Sequence, residues 1–354
     1  MAAHSVPGAV LHGQPVVREL DASRAADWDA FVEGCPNATF FHRAGWRDVV
    51  EQAFGHHTHF LFAETNGRIE GILPLGHVRS RLFGNALISS PFCVYGGIAA
   101  SNDAAATALQ EAAQSLATRL GVDYLEFRNL EARNPDWVSK DLYVRFRKAI
   151  DADPEANLLA IPRKQRAMVR KGIKAGLVSE IDQHTDRLYM AYSESVRNLG
   201  TPVFGQRYFR ILQEVFGKDC EILTVTRDGE LVSSVMSFYF RDEVLPYYGG
   251  GTAAARSVQG NDFMYWELMR RSGERGFKWF DYGRSKEGTG SYSFKKNWGF
   301  EPEPLHYEYW LVKADAMPNV SPTNPKYRLF IESWKRLPLP VTRLLGPWIA
   351  RNLG

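Results

Sequence analysis

Residues 222–240 read ILTVTRDGELVSSVMSFYF, and this stretch decides the fold. Ile222 to Thr226 is rich in β-branched residues, which predicts a strand. Asp228-Gly229 is a dipeptide typical of a two-residue hairpin turn, and Leu231 to Phe240 has the composition of the returning strand. The stretch therefore predicts an antiparallel hairpin.

A segment earlier in the chain has the same order of features. Phe60 to Glu64 predicts a strand, Asn66-Gly67 its turn, and Ile69 to Leu75 the returning strand. A Tyr-Gly-Gly sequence follows in both copies, and we expect it to close a further strand, as Val94-Tyr95-Gly96-Gly97 and as Tyr247-Tyr248-Gly249-Gly250. This repetition predicts a duplicated chain whose two halves share one strand order.

A helix and another strand are predicted after each Tyr-Gly-Gly. The helices are Ala104 to Leu120 and Asp262 to Arg275, and each stops at a glycine. The strands that follow are Tyr124 to Arg128 and Trp279 to Arg284. Antiparallel strands combined with a helix that returns to the sheet form a mixed unit. We therefore expect the α/β (α+β) fold class, with a mixed central sheet and flanking helices in each half.

Length and composition agree with two globular units. The chain has 354 residues, 45% of them hydrophobic, which excludes a disordered protein. Its 43 Lys and Arg and 40 Asp and Glu leave a net charge of +3, too small for a general nucleic-acid coat. We expect no DNA partner. The predicted segments are an N-terminal domain at 17–150, a C-terminal domain at 151–312 and a basic, aromatic tail at 313–354.

Cysteine and histidine usage argues against disulfides and metal. Cys35, Cys93 and Cys220 are widely separated and have no His at ligand spacing. The group His56, His57 and His59 lacks neighbouring acidic or Cys ligands, so no metal is expected. No apolar run is long enough to cross a membrane, and the N-terminus has no signal-peptide pattern. We expect a cytoplasmic protein, with the inner face of the membrane as an alternative place.

A basic stretch lies between the copies, IPRKQRAMVRKGIKAG at 161–176. Helical spacing places Arg163, Arg166, Arg170 and Lys174 on one face. Like charges at this spacing destabilise a helix by about 0.2–0.5 kcal/mol per pair unless an anion is bound. We expect the helix to face a cleft between the domains and to bind an anion, with a solvated helix face as the alternative. The predicted substrate-binding residues in this stretch are Arg163, Lys164, Arg166, Arg170 and Lys171.

Two segments of the sequence carry a family resemblance. The basic stretch resembles the helix that opens the second half of FemAB proteins, which are peptidyltransferases and aminoacyltransferases built from two N-acetyltransferase-like (GNAT-like) domains. The segment FDYGRSKEGTGSYSFKKNWGF at 280–300 is similar to the FemAB-related branch associated with exopolysaccharide and PEP-CTERM (exosortase) gene clusters. The resemblance covers about residues 17–312 and implies two tandem GNAT-like domains.

The resemblance also implies site residues. Phe294 and Lys295 match the family's Phe-Lys pair, which lies at the active site, where the lysine helps to hold the donor. The second domain is then the catalytic one, and the first is degenerate. From its aromatic neighbours alone, Lys295 is either a ligand-facing ammonium or a surface lysine in a hairpin. In the first case we expect a largely solvated side chain whose replacement by Met lowers turnover and leaves stability unchanged.

Further candidate residues come from strand ends and loops. Tyr248 is either a packed tyrosine or a general acid. Asp281 is a base, an orienting residue or a member of a structural ion pair, and Arg284 and Lys286 follow it in a loop expected to bind substrate. Arg256 begins a loop that loosely resembles the pyrophosphate loop of N-acetyltransferases, and Asp262 there predicts a helix cap.

The expected function is transfer of an activated acyl or aminoacyl group to an amine or hydroxyl of a cell-envelope or exopolysaccharide precursor. The donor is aminoacyl-tRNA or acyl-coenzyme A, and no tightly bound cofactor is expected. The acceptor is a small molecule or a lipid-linked glycan. Two alternatives are an acyl-coenzyme A-dependent N-acetyltransferase and a non-catalytic binding protein of an exopolysaccharide system. The tail at 313–354 either packs on the first domain or touches a membrane surface.

Overall fold

The computed structural model describes residues 13–80, 83–140, 142–316 and 325–354, apart from the side chains of 325–327. The strands in these ranges are β1 (Val16–Glu19), β2 (His57–Thr65), β3 (Arg68–Ser80), β4 (Gly84–Ser89), β5 (Ala99–Ala100), β6 (Tyr124–Asn129), β7 (Val138–Lys140), β8 (Tyr143–Ala149), β9 (Val178–Asp182), β10 (Cys220–Arg227), β11 (Glu230–Phe240), β12 (Glu243–Gly251), β13 (Trp279–Lys286), β14 (Pro302–Pro304) and β15 (His306–Leu311). The helices are α1 (Ala25–Gly34), α2 (Gly45–Phe54), α3 (Asp103–Leu120), α4 (Pro154–Ala160), α5 (Arg163–Lys174), α6 (Asp186–Leu199), α7 (Gln206–Phe216), α8 (Ala253–Val258), α9 (Gly260–Glu274), α10 (Gly290–Asn297), α11 (Pro325–Arg336) and α12 (Leu339–Ala350).

Two mixed sheets have the same strand order. The first runs β1-β2-β3-β4-β6-β15-β7, with β5 paired to β3, and the second runs β9-β10-β11-β12-β13-β8-β14. In each sheet one adjacent pair is parallel, β4 with β6 and β12 with β13, and the other pairs are antiparallel. The predicted α/β fold class and the shared strand order of the two halves are confirmed.

In each sheet, the second-to-last strand in the order given above comes from an unexpected part of the chain. β8 precedes residue 150 but pairs with β13 and β14 of the second sheet. β15 follows the second-half helices but pairs with β6 and β7 of the first sheet. The sheets therefore do not divide at the predicted segment boundaries of 150 and 312.

Both predicted hairpins form at the predicted turns. Asn66 and Gly67 have φ of 53° and 79°, and Asp228 and Gly229 have φ of 50° and 82°. Two successive positive φ values are what a type I′ turn requires, and they match the twist of the flanking strands. The predicted helices are present as α3 and α9, and α3 ends at Gly121, which has φ of 60°.

The first Tyr-Gly-Gly does not close a strand, so this prediction is wrong. β4 ends at Ser89, and the chain then turns inward because Ser90 and Phe92 adopt φ of 41° and 68°. The Ser90 hydroxyl donates to Phe41 O at 3.0 Å, which holds the turn against the core. Only the second copy, at Tyr248 to Gly250, lies within a strand, β12.

One hydrophobic cluster joins the two halves. Phe40 and Trp46 of the first half pack against Phe216 and Phe238 of the second, and the rings of Phe40 and Phe238 are stacked with centroids 4.5 Å apart. Arg43 forms an ion pair with Asp219 across the same boundary, at 2.7 Å. Hydrophobic burial of this kind fixes the halves relative to each other.

The described part of the tail packs against both halves. Arg343 Nε donates to Ser193 Oγ of α6 at 2.9 Å. His56 Nε2 bonds to Arg351 O of the tail at 2.6 Å. The outer face of α12 carries exposed apolar residues, among them Leu344 and Trp348. None of the helices described here is both long and apolar enough to cross a membrane.

Candidate functional site

Strands β12 and β13 separate shortly after they meet. Their parallel pairing covers only Glu243 with Trp279 and Val244 with Phe280. Both strands are irregular just beyond these pairs, β12 at Tyr247 and β13 at Tyr282 and Gly283, where Gly283 has φ of 63°. Beyond Val244, the facing edges of β12 and β13 therefore have no strand partner in the described chain.

Lys295 lies beneath the irregular part of β13. It is on α10, which Thr289 caps by accepting from Tyr292 N, and it is only 8% exposed. Its ammonium donates to Tyr282 O at 2.8 Å, to Arg284 O at 2.9 Å and to Gly283 O at 3.3 Å. Burial lowers the pKa of Lys295 to about 7, and the Asp281 carboxylate opposes this shift. The expectation of a solvated lysine is wrong.

Phe294 lies beside Lys295 at the surface of the second-half core. It is half-buried, and its ring centroid lies 5.8 Å from that of Tyr265 and 6.1 Å from that of Trp298. A Cβ at Gly249 of β12 would come within 2.9 Å of the Tyr265 hydroxyl, so β12 closely approaches this aromatic group. The structure therefore brings the Phe-Lys pair to the separated strands.

Asp281 joins the two halves. It is fully buried, accepts a hydrogen bond from the hydroxyl of Tyr95 in the first half, and accepts from Gly283 N at 2.6 Å. Burial raises the pKa of Asp281, while the Tyr95 hydrogen bond lowers it. These contacts hold both the irregular part of β13 and the first Tyr-Gly-Gly segment.

Tyr248 lies in a packed aromatic cluster. Its hydroxyl is 2.6 Å from the hydroxyl of Tyr208, and its ring makes edge contacts with Tyr192, Phe204 and Phe209. Burial raises the pKa of Tyr248 well above its usual value. The contacts agree with the packing interpretation of this residue.

The basic helix is α5, and its cations have no described partners. Five are exposed, Arg166 is half-buried, and none of the six forms an ion pair or side-chain hydrogen bond with a residue that the structure describes. The helix packs on α9, because a Cβ at Gly172 would lie 2.8 Å from the Phe263 Cβ. No α5 residue lines either interdomain cavity described below, and the expectation that α5 faces a cleft between the domains stays a prediction.

The same surface includes the turn between α8 and α9. Arg256 is exposed on α8, and Gln259 adopts φ of 57° immediately before α9 begins. Asp262 is the third residue of α9 and does not cap it. Its carboxylate instead accepts from Gln165 of α5 and from Trp298 Nε1, which leaves the first turn of α9 without a side-chain cap. The Gln165 contact holds α5 beside the start of α9.

Arg284 and Lys286 lie within β13, where they pair with Arg145 and Tyr143 of β8, so the expectation that they lie in a loop is wrong. Arg284 Nη1 donates to the Tyr307 hydroxyl at 2.7 Å, and its guanidinium carbon lies 4.7 Å from the ring centre of Tyr143. Lys286 is half-buried, and burial lowers its pKa. Arg284 lines a cavity of about 220 Å³ between the sheets.

The largest cavity described, about 600 Å³, contains none of the predicted site residues. Its lining includes His42 and Tyr95, Arg145 and Arg147 of β8, and Glu243 of β12. Burial, together with the nearby Asp281 carboxylate, raises the pKa of Glu243 to about 7, and Arg147 opposes this shift by donating to it. The alternation of arginines in YVRFRKA was the available sequence signal for this site.

The described residues contain neither a cluster of metal ligands nor a disulfide bond. No group of three or more potential ligands from His, Cys, Asp and Glu lies close enough together to hold a metal ion in those ranges. The three cysteines are buried and free.

Comparison with known proteins identifies the second half. Residues 163–296 match the family model of the acetyltransferase (GNAT) domain, a range that includes α5, the separated strands and most of α10. The chain therefore contains a GNAT acyltransferase domain and is a transferase enzyme. Comparison with curated protein sequences gave no match.

Solved structures resemble the whole chain. FemX aligns with a TM-score of 0.67 at 14% identity, covering 89% of this chain and 100% of FemX. A tandem GNAT protein from the clavulanic acid biosynthesis pathway aligns at 0.52 and 15% identity, covering 86% and 99%. L-PGS from Bacillus licheniformis aligns at 0.51 and 14%, covering 91% and 96%. At these identities the similarity concerns the fold, and it confirms the predicted tandem GNAT-like architecture.

Proposed function

We propose that the chain is an acyltransferase or aminoacyltransferase of FemAB type whose donor binds through its phosphate groups on α5. The observation that carries this proposal is the set of six cations without described partners beside the start of α9, inside the range that matches the GNAT model. Such cations repel one another at helical spacing, and a bound polyanion removes that repulsion.

The separated strands supply the place for the reacting carbonyl. An acceptor amine or hydroxyl attacks that carbonyl, the developing oxyanion is stabilised by positioned N–H groups, and the phosphate-bearing leaving group stays on the α5 surface. Lys295 acts in this proposal as a positioning residue, because all three of its donors are bound to β13 carbonyls. Its charge still contributes to the field at the donor.

The donor is aminoacyl-tRNA or acyl-coenzyme A. The likeness to FemX in fold and the FemAB-like Phe-Lys pair favour an aminoacyl group. The GNAT match and the exposed Arg256 before α9 favour acyl-coenzyme A, which makes N-acetyl transfer the second candidate. Both donors carry phosphate, so both fit α5.

The acceptor in the proposal is a cell-envelope or exopolysaccharide precursor, small or lipid-linked. This choice comes from the resemblance of residues 280–300 to the PEP-CTERM-associated branch. A lipid-linked acceptor would place the protein at the inner face of the membrane, with Leu344 and Trp348 of α12, which are 78% and 60% exposed, towards the lipid. A small-molecule acceptor would leave it in the cytoplasm.

Calorimetric titration tests the donor assignment. We expect either acetyl-coenzyme A or an aminoacyl-tRNA to bind with an affinity that falls as salt rises, because phosphate contacts dominate the binding. Uncharged tRNA and free coenzyme A serve as matched ligands that lack the acyl group. If neither donor binds at low salt, the proposal is wrong.

A further inference from the structure

Helix α12 buries small side chains on its inward side. Its buried residues are Thr342, Gly346 and Ala350, which recur every four positions and therefore share one face. A Cβ at Gly346 would lie 2.9 Å from the backbone nitrogen of Val203, so the absence of a side chain there lets the helix approach this backbone closely. The face that folding buries thus carries little apolar surface.

The outward side of α12 carries the large apolar side chains. Leu344, Leu345 and Trp348 are 78%, 45% and 60% exposed, and their spacing of three and four residues places them together. Large apolar residues grouped on a surface mark a place of contact with a partner or a membrane. Burial against such a partner would supply the hydrophobic stabilisation that folding of this helix leaves unused.

Helix α11 lies beside α12 on the same face of α6. Arg197 of α6 donates to the backbone oxygen of Lys335 in α11 at 3.4 Å. Arg343 of α12 donates to the Ser193 hydroxyl of α6 at 2.9 Å. Residues 193 and 197 are one turn apart on α6, so α11 and α12 are neighbours on it. An exposed leucine of α11, Leu329, adds to the apolar surface of this region.

The charge of this region is strongly positive. Residues 325–354 contain six Lys or Arg and a single acidic residue, Glu332. That carboxylate forms an ion pair with Lys335 at 2.9 Å, while Arg336 and Arg351 are exposed. A second copy of the chain, placed symmetrically on this face, would bring like charges together, which disfavours a dimer. An anionic surface would neutralise the same charges.

The combination of side chains fits the surface of a lipid bilayer. Helices that lie in the plane of a membrane surface present Leu and Trp to the lipid and carry Lys and Arg beside them. Trp side chains favour the interface between water and hydrocarbon. With 12 residues, α12 is too short to cross a bilayer, which needs about 20. A position along the surface is therefore the one that its length allows.

We propose that α11 and α12 bind the surface of a bilayer that contains anionic lipids. Leu344, Leu345 and Trp348 enter the headgroup region, and Arg336 and Arg351 contact lipid phosphates. This inference goes beyond the proposed function, because it does not depend on the acyl donor or on the acceptor. Only the further step, that this surface brings the enzyme to a lipid-linked acceptor, rests on the proposed function.

Co-sedimentation of the full chain with lipid vesicles, without acyl donor or acceptor, tests the proposal. We expect binding to vesicles of phosphatidylglycerol and phosphatidylcholine in equal parts, weaker binding as salt rises, and little binding to phosphatidylcholine alone. Leu344→Gln with Trp348→Gln should weaken binding about tenfold or more, because both side chains lose their contact with lipid. Leu159→Gln with Val178→Gln is the matched control, since both are exposed apolar residues outside α11 and α12.

A second variant tests the contribution of charge. Arg336→Gln with Arg351→Gln should weaken binding to the anionic vesicles and reduce its dependence on salt. Both positions are exposed, so urea unfolding should show the variant to be as stable as the wild type. Equal vesicle affinity in the wild type and in both folded tail variants would overturn the proposal, as would a failure to bind anionic vesicles at low salt.

The basic helix α5 offers another surface that could attract anionic lipid. Arg166→Ala with Arg170→Ala should therefore be compared, and we expect it to keep its vesicle affinity. Binding that is lost in this variant and kept in the Leu344 and Trp348 variant would contradict the proposal. A dimer in sedimentation velocity that only the Leu344 and Trp348 variant lacks would assign the face to a second copy and overturn it as well.

The outcomes separate this inference from the proposed function. Vesicle binding through α11 and α12 in a chain that binds no acyl donor would support the inference and contradict the proposed function. Donor binding in a chain that binds no anionic vesicle would do the reverse.

Discussion

Lys295 is a buried residue whose ammonium holds an irregular strand. Its three hydrogen bonds satisfy the carbonyl oxygens of Tyr282, Gly283 and Arg284, which lie at the register shift of β13. A buried carbonyl without a partner is costly, so the lysine stabilises the bend. Because one of these carbonyls belongs to Arg284, Lys295 also fixes the backbone from which the Arg284 side chain extends.

The first prediction concerns the stability of Lys295→Met. We expect its free energy of unfolding to be lower by about 1–3 kcal/mol, because three carbonyl oxygens lose their partner. The pKa of Lys295 is about 7 in the folded chain and about 10.4 when unfolded. Between these values the unfolded state binds more protons, so wild-type stability relative to the variant should rise with pH from about 7 to about 10. Urea unfolding at both ends of this range measures the difference.

A pH-independent difference would show that Lys295 keeps an ordinary pKa in the folded state. The predicted loss of turnover in Lys295→Met, about 2.7–4 kcal/mol or a hundredfold to a thousandfold, remains a prediction. Turnover must be compared at equal concentrations of folded enzyme, since the variant is expected to be less stable.

At the scale of residues, sequence reasoning found the positions but not their partners. Asp281 and Tyr248 were recognisable because they follow strand patterns. Their partners, Tyr95 and Tyr208, are 186 and 40 residues away, and such contacts have no local signal. The same reason hid Glu243, whose surroundings exist only when the two sheets meet.

At the scale of elements, α5 is the feature that most clearly indicates a ligand. Its buried face holds it on α9 through Val169 and Gly172, and its outer face carries the six cations. A helix interior without acidic residues gains little stability from its own side chains. Its composition is therefore better explained by an external anion than by folding.

The cations of α5 lead to a prediction for the double variant Arg166→Ala with Arg170→Ala. We expect this double variant to bind the acyl donor more weakly and with a smaller dependence on salt, because fewer phosphate contacts are made. Its free energy of unfolding should change by less than about 1 kcal/mol, since Arg166 is half-buried, Arg170 is exposed and neither forms an ion pair with a described residue. Calorimetric titration at two salt concentrations and urea unfolding measure both quantities.

Arg119→Ala with Lys278→Ala is the control for the α5 variant. Both residues are exposed cations outside α5, so the net charge changes equally. If the control weakens donor binding as much as the α5 variant does, the effect is one of overall charge. Unchanged binding in the α5 variant would return this helix to the solvated-face interpretation.

Hairpins and long helices were predictable because their signals are local. Asn-Gly and Asp-Gly fix their turns through backbone preference alone. The chain after β4 was not predictable, because Ser90 and Phe92 adopt positive φ to reach a buried position against Phe41. These positive φ values are imposed by tertiary packing and are not an intrinsic preference of Ser or Phe.

At the scale of the whole molecule, the two halves share their interior. The hydrophobic cluster continues from Phe40 to Phe238, and the Tyr95 to Asp281 hydrogen bond crosses the boundary within it. We predict a single calorimetric unfolding transition with equal calorimetric and van't Hoff enthalpies, although chains of this length often unfold in steps. Two resolved transitions would contradict this prediction.

The shared strand order was visible in the sequence, but the membership of β8 and β15 was not. Each of these strands pairs within the sheet of the other half. Short strands such as YVRFRKA and HYEYWL show where a strand forms and not which edge it joins. Pairing between distant segments is decided by the assembled sheets.

The late arrival of β15 has a consequence for synthesis on the ribosome. β6 emerges early with β4 on one side, but its other neighbour is β15, and β7 pairs with β15 alone. Until residue 311 has left the exit tunnel, the nascent first sheet keeps an open edge, which is a site for mispairing or for chaperone binding. Neither half therefore contains a complete sheet. If the gene were split between the halves, the first fragment would lack β15 and the second would lack β8.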